Sequence, residues 1–192
     1  MGVLESQVIG AGGIRRLTAA ILTAMALSAI PASTQSVSAP ALKGAYLFRF
    51  TQFVEWPTQV VTAGAPLAIC VVNDAAVADA LEQIIRGHTV ETHALTLRRL
   101  KAGEPLPTCH VLYLASAELK WPADVVETLN GKFVLTVSDA SGFARAGGML
   151  ELFLENGRIR FAVNLEALQR ARIVLSSRVL ILAKIVKDAD AP

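Results

Sequence analysis

The 192-residue sequence is poor in the residues from which metal and catalytic sites are built. It has two cysteines and three histidines, with no CxxC or HxxxH spacing, so we expect no metal site and no cofactor. We interpret His88 and His93 as solvated loop residues. No serine lies in a G-x-S-x-G turn or an S-x-x-K pair. The sequence therefore predicts that the protein is not an enzyme.

The sequence also lacks a large excess of either positive or negative charge. The formal net charge is only +2, and the lysines and arginines are scattered along the chain. Nucleic-acid binding usually needs a basic stripe, and base stacking needs clustered aromatic residues. The two tryptophans and two tyrosines are not clustered. We therefore expect no nucleic-acid partner.

The N-terminal region has the pattern of an export signal. Two arginines precede an apolar stretch at residues 17–30, which is too short for a comfortable membrane span and is typical of a signal-peptide core. Small residues follow and suit cleavage after Ser36, Ser38 or Ala39. We expect residues 1–39 to be a signal peptide and residues 40–192 to be a mature periplasmic domain. An uncleaved N-terminal anchor is the alternative.

The remaining sequence predicts a single α/β domain. Strands are predicted at residues 67–72, 94–100, 109–114 and 133–137. Helices are predicted at residues 43–56, from Asp74 as cap to about residue 85, and from Pro122 to about residue 129. Strands that alternate with helices indicate a mainly parallel sheet with helices on both faces.

The first predicted helix has an apolar face, and Pro57 is expected to end it. Arg49 falls within that face and needs either a route to solvent or a carboxylate partner. The residues that define the face are Leu42, Tyr46, Phe50 and Phe53.

The C-terminal part predicts an antiparallel hairpin followed by a terminal helix. Asn156 and Gly157 favour a two-residue type I′ turn, which needs positive φ at both positions. That turn pairs Leu154 with Ile159, Leu152 with Phe161 and Leu150 with Val163. We expect the hairpin to form an edge of the sheet. A helix at about residues 176–187 is expected to pack into the core.

A glycine-rich loop at residues 138–148 leaves the carboxyl end of a predicted central strand, where open α/β sheets bind ligands. Backbone N–H groups there are expected either to hold an anion or simply to form a tight turn into the hairpin. The residues of the anion-binding alternative are Ser138, Asp139, Gly142, Arg145, Gly147 and Gly148.

Several segments together resemble the YfiR-like family, a domain family of unknown function. The first is the sequence KGAYLFRFTQFVEWP at residues 43–57. The second is VLTVSD at residues 134–139, which is followed by Gly142-Phe143 and Gly147-Gly148-Met149. The third is IRFAVNL at residues 159–165, and the last is SSRVL at residues 176–180. The similarity covers nearly the whole predicted mature chain in the same order.

The resemblance implies a function and a partner. The best-understood members of the family are periplasmic proteins that repress a membrane-bound diguanylate cyclase. The protein is therefore expected to bind an inner-membrane cyclase or sensor through its periplasmic segment and to lower cyclic di-GMP output. The family also permits a homodimer. A periplasmic protein that binds a small molecule or an anion is the alternative.

The resemblance also implies a disulfide, and the end of the first predicted helix offers candidates for partner binding. Cys70 and Cys109 match a cysteine pair of the family that can form a disulfide, although their offset on neighbouring parallel strands is awkward. Glu55, Trp56 and Pro57 end the first predicted helix and are candidates for partner binding. Trp56 is expected either to fill the core or to be an exposed anchor.

Overall fold

The computed structural model describes residues 37–57, 60–62, 64–116, 129 and 132–189. The predicted signal peptide lies outside the described residues except at its last three positions. The predicted helix at residues 122–129 also lies outside them, apart from Leu129.

The described chain folds into an α/β structure with one large sheet and one two-stranded sheet. The helices are α1 (Ala39–Phe53), α2 (Ala75–Ile85), α3 (Leu165–Arg170) and α4 (Ser177–Leu180). The first five strands are β1 (Val54–Glu55), β2 (Leu67–Val72), β3 (Thr89–Val90), β4 (His93–Leu100) and β5 (Val111–Leu114). The others are β6 (Leu135–Ser138), β7 (Leu150–Glu155), β8 (Arg158–Asn164), β9 (Val174–Leu175) and β10 (Lys184–Val186).

The large sheet has the order β10-β8-β7-β6-β5-β2-β4-β3. Every neighbouring pair from β4 to β7 is parallel, and so is the β8–β10 pair. All residues of β2, β5 and β6 are buried, as expected for central strands that are covered on both faces. The predicted α/β class with a mainly parallel sheet is therefore confirmed.

Each face of the sheet has its own apolar cluster. Helices α1 and α2 contact each other at Gly44, where an added Cβ would lie 3.1 Å from the Leu81 amide nitrogen. Both helices contribute to the main core, together with Ile69 and Val71 of β2. The neighbouring residues of β2 point the other way and pack in the second cluster with Phe143 and the described Leu129.

The first helix differs from the prediction at both its ends and its buried face. It ends at Phe53, because Val54 and Glu55 pair with β9 and the Ser176 N–H donates to the Phe53 carbonyl at 2.9 Å. The fully buried positions of the helix are Gly44, Leu47, Phe50 and Thr51. The buried face is therefore rotated away from Arg49, which is exposed and donates to Gln52 Oε1 at 3.2 Å.

The hairpin register is confirmed. Leu150 pairs with Val163, Leu152 with Phe161 and Leu154 with Ile159. Asn156 and Gly157 both have positive φ, at 51° and 72°, as the type I′ turn requires. The expectation that the hairpin forms the sheet edge is wrong, because β10 pairs with the outer side of β8.

The predicted terminal helix is also wrong. Only Ser177–Leu180 is helical, with Ser176 as its N-cap, and Lys184–Val186 forms the parallel edge strand β10. Ile185 lies beside Val163 of β8 in this register. The apolar spacing of the segment fits a helix, but the open edge of β8 offers a ladder of backbone hydrogen bonds. That long-range pairing prevails over the local pattern.

No helix in the described ranges is both long enough and apolar enough to cross a membrane.

Candidate functional site

An ion pair organises the carboxyl edge of the parallel sheet. Lys43 of α1 contacts Asp139, the residue after β6, with Nζ 2.5 Å from Oδ2. The side chains of Lys43 and Asp139 are only 20% and 15% exposed. Asp139 Oδ1 also accepts a hydrogen bond of 2.7 Å from the Ser116 backbone N–H, just beyond β5. One carboxylate therefore joins a helix and the ends of two central strands.

The charged state of Asp139 follows from these contacts. Burial alone would raise the pKa of Asp139, but the hydrogen bonds from Lys43 and Ser116 and the charge of Lys43 lower it below its usual value. Asp139 is therefore ionised at neutral pH and forms a true ion pair with Lys43.

Tyr113 of β5 is fully buried beneath this cluster. Its hydroxyl has no hydrogen-bond partner among the described residues. Burial raises the pKa of Tyr113 well above its usual value, and the negative charges of Asp139 and Asp74 act in the same direction. The phenol therefore stays protonated, and its burial gives it no open path to solvent.

The glycine-rich loop surrounds a carboxylate of the chain itself. The backbone N–H groups of Gly142 and Ala144 donate to Oε1 and Oε2 of Glu151, each at 3.1 Å. Glu151 lies on β7 directly beside Ser138 of β6. An external anion would have to displace Glu151 to reach these two amides.

The other residues proposed for anion binding have structural contacts. The Ser138 hydroxyl donates to the Leu114 carbonyl at 2.6 Å and accepts from the Ala140 N–H. Gly148 lies against the Phe143 ring, where an added Cβ would come within 2.2 Å of ring carbon. Arg145 is exposed, and its carbonyl accepts from the Ala189 N–H at 2.7 Å. Gly142 and Gly147 have positive φ, which suits a turn.

The C-terminal tail is fastened to this loop through Asn164. The fully buried Asn164 side chain caps α3 by accepting from the Ala167 N–H. Its amide donates to the Ala144 carbonyl at 2.7 Å and to Asp188 at 2.5 Å. Asp188 also pairs with Arg170, and that hydrogen bond lowers the pKa of Asp188. The loop, the hairpin and the tail are thus held by one side chain.

A cleft of about 450 Å³ lies beside the candidate partner-binding residues. Glu55 is exposed on its rim, and Trp56 and Pro57 are half-buried. The Trp56 indole N–H is buried and has no hydrogen-bond partner among the described residues. Its ring packs edge-on against the His110 ring, with the two ring centres 5.8 Å apart. Trp56 is thus neither a fully buried core residue nor a fully exposed anchor.

His110 lies between Trp56 and the start of β5. The ring Nδ1 of His110 accepts from the Ala68 backbone N–H at 2.9 Å, and the backbone N–H of His110 donates to the Ala68 carbonyl at 2.8 Å. Burial lowers the pKa of His110 below its usual value. A hydrogen bond with the Val60 backbone acts in the opposite direction, and the charge of nearby His93 adds to the lowering of this pKa. His110 is therefore neutral in the folded protein at neutral pH.

Cys70 and Cys109 form a disulfide with their Cα atoms 5.9 Å apart. The sequence places the two cysteines at different heights on neighbouring parallel strands. The bridge is possible because Cys109 precedes β5 and does not itself pair with a residue of β2. The bridge closes a loop of sequence separation 39, which restricts the unfolded chain.

The remaining histidines do not form a metal site. Across the described ranges, no three His, Cys, Asp or Glu side chains cluster in a way that would bind a metal ion. His88 is exposed and lies edge-on to the Phe48 ring. His93 is not a solvated loop residue as predicted, because it is half-buried at the start of β4 and its Nδ1 lies 2.8 Å from the Ala65 carbonyl oxygen.

Three residues at the carboxyl edge of the parallel sheet were not predicted as site residues from the sequence: Lys43, Tyr113 and Glu151. Lys43 and Asp139 are 96 positions apart, so no local spacing indicates their contact. Glu151 is placed by the β6–β7 register, which requires the strand order. Tyr113 lies in an apolar run that gives no sign of a polar neighbour.

We predict that Glu151→Ala lowers the free energy of unfolding by about 2 kcal/mol, because two loop amides lose a charged acceptor. Formate should restore part of this loss by occupying the vacated position. Urea unfolding with and without formate measures both effects. The control is Glu155→Ala on the same strand, whose carboxylate is exposed and 4.0 Å from Arg160. Equal stability of the two variants would contradict the internal-anion interpretation.

We predict that the free energy of unfolding falls as the pH drops below about 6.5. In that range His110 binds a proton in the unfolded chain, whereas its lowered pKa keeps it neutral in the folded protein. Above that pH the histidine is neutral in both states and this contribution is fully present. His110→Asn should lose this part of the pH dependence in urea unfolding between roughly pH 7.5 and 5.5. His88→Asn, at an exposed position, should keep it. A His110→Asn profile that matches the unsubstituted protein would contradict the prediction.

Comparison with known protein families assigns the chain. The family described as YfiR/HmsC-like matches residues 40–184. The match runs from the first turn of α1 to the first residue of β10, so it includes the carboxyl-edge cluster, the disulfide and the cleft at Trp56. The chain belongs to the YfiR/HmsC-like family.

Proposed function

We propose that the protein is a periplasmic regulator that binds an inner-membrane diguanylate cyclase, or a sensor coupled to one, and lowers cyclic di-GMP output. Its membership in the YfiR/HmsC-like family over residues 40–184 carries this proposal. The partner is expected to present a periplasmic segment to the folded domain.

The chemistry of the carboxyl edge supports binding rather than turnover. Asp139 is engaged by Lys43 and the Ser116 amide, and Glu151 is engaged by two loop amides. Groups committed to each other in this way stabilise the domain and are not free to act on a substrate. We therefore propose that this edge is a structural centre and that the loop does not serve as an anion receptor.

The surface around Glu55 is the proposed contact for the partner. Glu55 belongs to β1, which is fixed by pairing with β9, so its side chain leaves a rigid backbone. The cleft beside it is lined by both apolar and charged side chains, including Trp56 and Arg178. Tryptophan and arginine are enriched among the residues that dominate protein interfaces.

The location is supported by two features. The pattern at residues 1–39 predicts an export signal, and the Cys70–Cys109 disulfide suits an oxidising compartment such as the periplasm. The homodimer that the family permits stays a prediction.

We predict that deleting the gene raises cellular cyclic di-GMP. Expressing the unsubstituted protein in the deletion strain should return cyclic di-GMP to its original level. Glu55→Lys should fail to lower cyclic di-GMP again at equal protein abundance, because a reversed charge at an exposed interface position disrupts electrostatic complementarity with the partner. The matched control is Glu155→Lys, which makes the same charge change at another exposed strand residue. Nucleotide extraction with immunoblotting measures both quantities.

Two outcomes would count against the proposal. Unchanged cyclic di-GMP after deletion would overturn repression of a cyclase. Full complementation by Glu55→Lys, with repression otherwise intact, would overturn only the proposed contact surface.

A further inference from the structure

The last turn and edge strand of the domain present an unusual concentration of exposed aliphatic side chains. Ile181 is 81% exposed, Leu182 is 69% exposed and Ile185 is 47% exposed. Single exposed apolar residues are common on soluble proteins, but three within five positions indicate a contact surface.

Basic residues predominate in this part of the chain, since residues 166–188 contain five lysines and arginines and two acidic residues. Lys184 and Lys187 are exposed beside them, and no acidic residue occurs between Glu166 and Asp188. Asp188 is paired with Arg170 and Asn164, and its backbone N–H donates to exposed Glu166 at 3.4 Å. Lys184 Nζ lies 5.9 Å from the centre of the Phe153 ring. We call Ile181, Leu182, Lys184, Ile185 and Lys187 the C-terminal tip.

The placement of the tip distinguishes it from a groove. Ile181 and Leu182 lie in the turn after α4, and Ile185 lies on β10, which is paired on one side only. The tip residues do not line the cleft at Trp56. A partner that binds side chains protruding from a turn has to close around them.

We propose that the C-terminal tip inserts into the anionic interface of a phospholipid bilayer. An interface of lipid headgroups and acyl chains conforms to protruding aliphatic side chains, and anionic headgroups attract the flanking lysines. A protein partner would need a pocket matched to each side chain, and nothing in the tip's own shape suggests such a fit. This inference goes beyond the proposed function, because it concerns lipid and none of its residues belongs to the Glu55–Trp56–Pro57 segment.

The geometry would give the regulator a second point of attachment. Helix α4 follows β9 directly, and β9 pairs with β1, which carries Glu55. Docking through the tip would therefore hold the Glu55 region near the surface from which a membrane protein's periplasmic segment emerges.

The test is sedimentation with lipid vesicles. Protein purified from the periplasmic fraction, with its N-terminus defined by intact mass, is mixed with vesicles of phosphatidylcholine alone or with phosphatidylglycerol added. We expect binding to the anionic vesicles only, and release at high salt. Lys184→Gln/Lys187→Gln should weaken binding by roughly fivefold per lysine. Ile181→Ser/Leu182→Ser should weaken it at least about tenfold, because the inserted apolar area is lost.

Two matched controls keep the test specific. Leu154→Ser removes another aliphatic side chain, 73% exposed on β7. Lys101→Gln/Lys132→Gln makes the same change in net charge at exposed positions elsewhere. Both controls should bind anionic vesicles like the unsubstituted protein, and thermal unfolding should show that every variant is folded.

Three results would overturn the proposal. The first is no binding to anionic vesicles by the unsubstituted protein. The second is an equal loss of binding in the charge control, which would indicate attraction by net charge alone. The third is a dimer, measured without lipid, that Ile181→Ser/Leu182→Ser dissociates, which would assign the tip to a second copy of the chain. None of these results depends on cyclic di-GMP, so the proposed function stands or falls separately.

Discussion

The ion pair between Lys43 and Asp139 is the contact on which the carboxyl edge of the sheet depends. Asp139 receives Lys43 from α1 on one oxygen and the Ser116 amide on the other, so one side chain fixes a helix against two strand ends. Removing either partner would leave a poorly solvated charge unpaired, which is far more costly than losing a surface pair. The position of α1 in turn fixes the chain that leaves it, because β1 begins at the residue after the helix.

Polar contacts also join separate elements at three other places in the described part of the domain. Glu151 holds the glycine-rich loop, Asn164 joins that loop to the tail, and His110 closes the start of β5 against Ala68. The rim at Glu55 and the aliphatic C-terminal tip are exposed.

The sequence predicted the features that depend on local signals. The run at β2, the Asp74 cap of α2 and the Asn156-Gly157 turn each specify their own structure within a few residues. The terminal helix was predicted wrongly because the apolar spacing of the segment is helical. The segment instead forms a strand, because the edge of β8 offers it backbone hydrogen bonds. The Lys43–Asp139 and Glu151 contacts were beyond prediction, since they join residues that only the strand order brings together.

A double-mutant cycle on the ion pair tests the central structural claim most directly. The free energy of unfolding is measured in urea for the unsubstituted protein, Lys43→Met, Asp139→Asn and the double variant. If the pair organises the edge, each single substitution destabilises the domain, and the double variant loses about 1–3 kcal/mol less than the sum of the two. Additive losses, within about 0.5 kcal/mol, would show that the two charges stabilise the fold independently and would contradict the account.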